Sequence, residues 1–257
     1  VVGALPAGTF NLFVAPNDGI HGLQWVGWRG GTGDQSAAVP LGVTLGKLTV
    51  APTVQADPVG TITGTITDAT TGQPIANGLA CASVLPTGVP QGVFGGTICT
   101  DDQGQYNITG VGPYRWPVQY TFHSANPAWQ WAGGTANRFD SHRVKVAAGK
   151  ATTADFKAVP GGTLTLSLFN ADGSPFRDTV TVHAFNAVTG DIAALGIGDL
   201  ADGTYTIMGL TSQDIKVQVD GLDSAGNHVG LTFAASPSIP VRVGATATYD
   251  IVLTPLA

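Results

Sequence analysis

The sequence predicts an all-β chain of tandem, Ig-like antiparallel β-sandwich repeats with almost no helix. Three observations carry this. The composition suits strands joined by tight turns, with 36 Gly and 16 Pro in 257 residues and all 17 acidic residues Asp. Asp favours caps and turns, whereas the absent Glu is a good helix former. Apolar residues alternate with period two, and no stretch keeps a 3.6-residue period for long. Finally, the chain repeats itself.

The repeat explains each element in turn. "GTITGTITDATTGQPI" (residues 60–75) matches "GTLTLSLFNADGSPF" (residues 162–176), with one residue inserted in the first copy. Ile62, Gly64 and Ile66 stand against Leu164, Leu166 and Leu168, the alternation of a strand with one buried face. Each copy then turns through "DATTGQP" or "NADGSP", where Asp and Gly supply the backbone angles. "DDQGQYNITGVGP" (residues 101–113) matches "ADGTYTIMGLTS" (residues 201–212), pairing Tyr106 with Tyr205. "HRVKVAAGKATTADFKAV" (residues 142–159) matches "IPVRVGATATYDIVL" (residues 239–253). At the start, "VVGALPAGTFNLFV" and "AVPLGVTLGKLTVAPTV" align only with the second half of a copy. The expected organisation is therefore a truncated C-terminal half at 1–57, a complete repeat at 58–160 and another at 161–257. A half-sandwich exposes its inner face and an unpaired strand edge. The joins near "QADPVG" and "AVPGG" are short, which implies little hinge freedom and an elongated rod.

Charge excludes some partners. A net charge of -6 with scattered basic residues argues against nucleic acid, whose phosphates need clustered Lys and Arg. The one tight basic group is "RFDSHRVK" (residues 138–145). No apolar run approaches the ~20 residues that span a bilayer, so no membrane insertion is expected. With no initiator Met or signal-peptide pattern, Val1 reads as the start of a processed or excised piece. Cys81 and Cys99 flank an expected hairpin, and a disulfide there would stabilise by roughly 3 kcal/mol. It would also favour an extracellular or cell-surface location. Two cysteines with no histidine near them in the sequence fall short of a zinc site.

"GTITGTITDATTGQPIANGLACASV", followed by "TDDQGQYNITGV", resembles the carboxypeptidase regulatory-like repeats, which are grouped with transthyretin-like and Cna B-type domains. The family's opening "G-x-V-x-D-x-x-G-x-P-L" is met at 64–75, and its "D-x-x-G-x-Y-x-x-x-x-L" at 101–111 and in "DGTYTIMGL". Its closing "V-x-V-x-x-G" is met at 144–149. The resemblance covers the whole chain and implies antiparallel sandwiches of about seven strands. It marks fold rather than activity. Some members carry a Lys–Asn isopeptide bond catalysed by a buried acid, usually Glu. This chain has no Glu, and its opening strands have no Lys, so no such bond is expected.

Catalysis finds no support. Asp140, Ser141 and His142 are adjacent, and neighbouring strand residues point to opposite faces, so they cannot converge as a triad. No G-x-S-x-G elbow or H-E-x-x-H helix is present. No cofactor is expected. The acids at Asp101–Asp102, Asp199/Asp202 and Asp220/Asp223 could contribute to a Ca²⁺ site between repeats, but none follows calcium-loop spacing. Asp that serves its own turn is the competing reading. His21, His123, His142, His183 and His228 share no ligand spacing. Asn107 begins a glycosylation sequon on an outward strand position.

Five tryptophans remain, four of them in "LQWVGW" and "WQWAGG". One Trp can bury ~150–250 Å², so packing competes with ligand stacking at each. Trp131 reads as a core anchor, and Trp116, beside Pro117, as a junction contact. Trp25, Trp28 and Trp129 are the candidate ligand-binding residues. In a regular strand Trp25 and Trp28 would point to opposite faces, leaving one of them exposed.

The leading expectation is a non-catalytic structural or adhesive module of a secreted or cell-surface bacterial protein, facing a protein or polysaccharide surface. The alternatives are a carbohydrate-binding accessory module of a larger secreted enzyme and a filament subunit whose first repeat accepts a neighbour's strand. Intact mass spectrometry should return the sequence mass less two hydrogens for the disulfide. A further loss of one ammonia would reveal the isopeptide bond and overturn the expectation.

Overall fold

The computed structural model describes residues 2–87, 97–123, 127–196, 203–223 and 225–256. They form strands and turns, with single-turn 3-10 segments at Gln35–Ala37 and Arg138–Asp140. The first repeat holds β1 (Gly8–Phe10), β2 (Phe13–Val14), β3 (Gln24–Gly27), β4 (Gly30–Thr32) and β5 (Leu41–Val43). The second opens with β6 (Gly60–Asp68), β7 (Ala80–Ser83), β8 (Ile98–Cys99) and β9 (Gln105–Val111). It continues through β10 (Arg115–Trp116), β11 (Gln119–Phe122), β12 (Gln130–Trp131), β13 (Val144–Lys145), β14 (Ala151–Thr153) and β15 (Phe156–Ala158). The third holds β16 (Gly162–Phe169), β17 (Val180–Asn186), β18 (Ile192–Gly196), β19 (Thr204–Leu210) and β20 (Gln213–Leu222). It closes with β21 (His228–Leu231), β22 (Ile239–Val241), β23 (Thr246–Val252) and β24 (Thr254–Pro255).

The third repeat is a sandwich of two sheets, β19-β16-β23 against β18-β17-β20-β21-β24, with β22 also paired to β20. Its core follows the period-two pattern. Leu164, Leu166 and Leu168 of β16 are fully buried against the Val182, Ala184, Val217 and Val219 face. Each such Leu contributes roughly 2 kcal/mol of hydrophobic stabilisation. The second repeat sets β6, with β9, β14 and β15, against β12-β11-β7-β8. Its β6 buries Ile62 and Ile66 in the same way. Cys81 on β7 lies directly opposite Cys99 on β8, and the two form the disulfide.

One feature differs from a purely antiparallel sandwich. Strand β6 runs antiparallel to β9 but parallel to β14 and β15, and β16 runs antiparallel to β19 but parallel to β23. Parallel neighbours need a long crossover, and the intervening passage through the opposite sheet provides it.

Tyrosines tie the layers together. The Tyr205 hydroxyl donates to Val180 O at 2.8 Å, bridging the two sheets of the third repeat. In the second repeat, the Tyr106 hydroxyl donates to Ala154 O at 2.5 Å and lies 3.0 Å from that of Tyr120. The Tyr120 ring stacks on Phe156 at 3.9 Å. Burial pushes the Tyr120 hydroxyl up to about 12, and that of Tyr106 higher. Both stay neutral, so neither buries a charge.

Among the described residues, the first repeat buries only a small apolar group of its own, Val26, Ala38 and Val39. Its Leu23 belongs to the second repeat's core, with Phe13, Ala15 and Trp25 packed alongside. Phe10 of β1 is half-buried, whereas Trp116 of the matching β10–β13 pair is wholly buried. Leu45, Leu48 and Val50 are largely exposed, the last two at 82% and 81%.

Gly64 interrupts the apolar series of β6 because its neighbours leave no room. An added Cβ would stand 2.3 Å from Ala154 O and 2.9 Å from the Tyr106 ring. Gly64→Ala should therefore cost the second repeat about 1–3 kcal/mol through overpacking. Calorimetry should show that loss in one transition while the transition of the third repeat stays in place; an unchanged profile would contradict the packing.

Candidate functional site

The twin motifs, residues 23–25 and 129–131, occupy the same place at two successive joins. Trp25 lies opposite Phe13 on β2, and Trp131 lies opposite Gln119 on β11. The following amides match as well, Val26 N donating to Leu12 O at 2.9 Å and Ala132 N to Val118 O at 2.8 Å.

At each join, the segment just before the Gln-Trp pair is bonded on one edge by the linker and on the other by the repeat beyond it. On one edge, Gly22 N donates to Asp57 O and Ala128 N to Val159 O, both at 2.9 Å. The bridges His21–Pro58 and Pro127–Pro160 continue that edge. On the other edge, Leu23 N donates to Gly110 O at 2.7 Å and Trp129 N to Gly209 O at 2.9 Å. Parallel bridges, Leu23–Val111 and Trp129–Leu210, complete it. Gly22 must lack a side chain there, since an added Cβ would fall 2.4 Å from Gly112 N.

The intervening glutamines are buried and satisfied. Gln24 Nε2 donates to Gln55 O at 2.8 Å, and its Oε1 lies 2.9 Å from the Tyr114 hydroxyl, which also meets the Asp57 carboxylate. Gln130 Nε2 donates to Ala128 O at 2.9 Å.

Ion pairs cross the joins too. Arg143 reaches back to Asp34 at 3.0 Å, and Arg138 reaches forward to Asp191. The second pair is the more buried. Burial raises the Asp191 carboxyl above its ordinary value, although Arg138 opposes the shift. Asp191 Oδ2 and Arg138 Nε have no further partner, so the pair is incompletely compensated.

The tryptophans divide accordingly. Trp131 is 2% exposed and anchors the core. Trp129 is half-buried, donates from Nε1 to Phe122 O at 3.0 Å, and spends its backbone on the join. Trp25 is half-buried, edge-on to Phe13 at 4.8 Å. Trp28 is 75% exposed, in the two-residue turn between β3 and β4, where Gly30 takes φ 113°. Strand alternation therefore does not govern it, contrary to the reading of 25–28 as one regular strand. Trp116 is wholly buried and donates to Gly112 O at 2.8 Å, while Gly33 of the first repeat abuts its ring. Trp25 and Trp129 thus serve different joins, and Trp28 alone among the five indoles is widely open to solvent.

The acids serve local turns. Asp101 Oδ1 accepts from the amides of Gln103 and Gln105, and Asp223 Oδ1 from those of Ala225 and Asn227. Asp220 lies 3.5 Å from His228 Nδ1 on the surface. Asp199 and Asp202 lie outside the described residues. Asp140 accepts from Asn137 Nδ2, and the Ser141 hydroxyl donates to Arg138 O, so neither is arranged as a relay through His142. Asn107 is exposed on β9.

The fold assembles one cluster the sequence does not show. Among the described residues, one group has metal-ligand spacing, Cys81, Cys99 and His123, with donor atoms within 4.8 Å of one another. His123 follows β11, whose Thr121 pairs with Cys81, and this brings its Nε2 to 3.8 Å from Cys81 Sγ.

No protein-family model matches the chain, and no curated protein matches it. Solved structures do. The Bacillus anthracis TIE protein aligns at 10% identity and a TM-score of 0.29, over 96% of this chain and 42% of that one, so the chain spans under half of that protein's length. GBS52, the minor pilin of Streptococcus agalactiae, aligns at 13% identity and a TM-score of 0.33, over 77% and 96%. BcpA, the major pilin subunit of Bacillus cereus, aligns at 8% identity and a TM-score of 0.26, over 76% and 99%. None of these names a family for the chain. Among the described residues, no helix is long and apolar enough to cross a membrane.

Replacing Arg138 by Ala should strand the Asp191 charge and destabilise the chain by about 3 kcal/mol or more. Asp191→Asn in the same chain should restore most of the loss. The Arg138→Ala deficit should also shrink as pH falls through the carboxylate range. There, folded Asp191, with its raised pKa, holds a proton that the unfolded chain releases more readily, so stability rises on acidification. Urea melts across pH check both outcomes.

Proposed function

We propose that the chain is a non-catalytic structural or adhesive module of a secreted or cell-surface bacterial protein, of the carboxypeptidase regulatory-like or Cna B kind. It is organised as a half repeat at 1–57 and complete repeats at 58–160 and 161–257. The observation that carries this reading is the join. The same backbone bonds clamp residues 21–23 and 127–129 between the linker and the following repeat at two successive junctions, as suits a load-transmitting spacer. The disulfide suits an oxidising location.

Two narrower roles rest on specific surfaces. Trp28, exposed at a hairpin tip, favours contact with a polysaccharide as an accessory of a larger enzyme. The uncovered Leu45, Leu48 and Val50 favour strand donation into the first repeat. The spacer reading is the one we adopt. Titrating tryptophan fluorescence with soluble polysaccharides, and pulling down with insoluble ones, should give neither shift nor retention. Saturable binding that disappears in Trp28→Ala would replace the spacer reading with the carbohydrate-binding one.

A further inference from the structure

We propose that Cys81, Cys99 and His123 form a redox-gated site for a soft divalent cation such as Zn²⁺, closed while the cysteines are disulfide-bonded and opened by an external thiol. The inference goes beyond the spacer reading and does not depend on it.

Geometry comes first. A tetrahedral zinc with bonds of about 2.3 Å to sulfur and about 2.0 Å to nitrogen sets its donors roughly 3.5–3.8 Å apart. Cys81 Sγ and His123 Nε2 already stand at 3.8 Å. The bonded sulfurs must separate once the disulfide is reduced, and the exposed Cys99 side chain is the one free to turn, with its donor within 4.8 Å of the others. The backbone that carries the donors is fixed. Cys81 is wholly buried on β7, between β11 and β8. His123 is held by its own amide, which donates to Leu79 O at 2.9 Å. Two thiolates and an imidazole are a soft donor set that zinc prefers, with the fourth position left to water.

Access and leaving group follow from burial. Cys99 is exposed, so an incoming thiolate attacks its Sγ and expels Cys81 as the thiolate. That thiolate faces the His123 imidazole, whose Nε2 lies 3.8 Å from Cys81 Sγ. A second thiolate then attacks the reagent's sulfur in the mixed disulfide and frees Cys99. Two electrons pass from two small-molecule thiols to the cystine, and the thiols leave as their disulfide. With the metal bound, both cysteines remain thiolates and two protons go to solvent.

The repeat supplies an independent argument. Position by position along the paired strands, Cys81 corresponds to Thr181 on β17 and His123 to Leu222 on β20. The third repeat builds the same sheet without these donors, so the fold does not demand them.

The test uses the full, tag-free chain reduced with a water-soluble phosphine, which leaves no competing thiol, and titrated with Co²⁺ as a spectroscopic stand-in for Zn²⁺. One equivalent should produce thiolate-to-cobalt charge transfer and the strong visible bands of a four-coordinate site. Zn²⁺ should displace it, and the oxidised chain should give neither signal. His123→Gln should weaken binding by at least the ~10-fold that loss of even an outer-shell partner costs. Zn²⁺ should also raise the melting temperature of the reduced chain. No charge-transfer band, equal binding by the oxidised chain, or unchanged affinity in His123→Gln would each overturn the proposal. So would a reduced chain that loses its strand signal and does not regain it with Zn²⁺. None of these outcomes bears on polysaccharide binding, so the spacer reading stands or falls separately.

Discussion

Residues 21–23 and 127–129 are each bonded on one edge by the linker at 57–59 or 159–160 and on the other by β9 or β19 beyond it, and the rest of the molecule is arranged around that constraint. A strand edge buried between two units without partners would leave amides and carbonyls unpaired at a cost comparable to lost hydrogen bonds. Bonding residues 21–23 to 57–59 on one side and 110–112 on the other removes that cost, and residues 127–129 repeat the solution. Close approach of backbones then dictates Gly22. The glutamine that follows is buried because the join closes over it, and the next Trp is half-buried at position 25 and wholly buried at 131.

Side chains adapt this common frame to each pair of repeats. Leu23 is small enough to enter the second repeat's core, whereas Trp129 in the same place lies across the join with its indole bonded to Phe122 O. The basic cluster at 138–145 divides its arginines between neighbours. Arg143 pairs with the first repeat and Arg138 with the third, so a group that resembles a surface patch in the sequence serves as two cross-junction ties. Their exposure sets their worth. Arg143–Asp34 is partly solvated and contributes little, while the Arg138–Asp191 pair is sequestered enough that removing one partner matters more than the pair itself.

What could be read from the sequence was local. Period-two alternation placed β6 and β16, and the repeat aligned Tyr106 with Tyr205, because both signals lie within one strand or recur at one spacing. Pairing direction was not legible, since nothing in residues 151–158 records that they run parallel to β6. Trp28 is exposed, as alternation requires of one of Trp25 and Trp28, but it stands in the turn between β3 and β4 rather than on a strand face, which alternation does not record. The cross-junction Arg138–Asp191 contact and the approach of His123 to Cys81 depend on partners brought together by sheet register. Only the fold shows those.

Comparison of the two complete repeats separates what the sandwich requires from what it merely permits. The buried tyrosine is required, because its hydroxyl ties the two sheets in both copies, through Val180 O for Tyr205 and through the Tyr120 hydroxyl for Tyr106. The apolar series is required in sum but not at each position. Gly64 replaces Leu166 where Ala154 and the Tyr106 ring fill the space that a side chain would need. The disulfide falls on the permitted side, for β17 carries Thr181 at the place of Cys81 and its repeat keeps an extensive core without it. A cross-link spared by one copy and kept by the other adds little to the choice of fold. Its effect is confined to the β7–β8 hairpin, whose loop it closes against the unfolded chain, and to the histidine that register sets beside it.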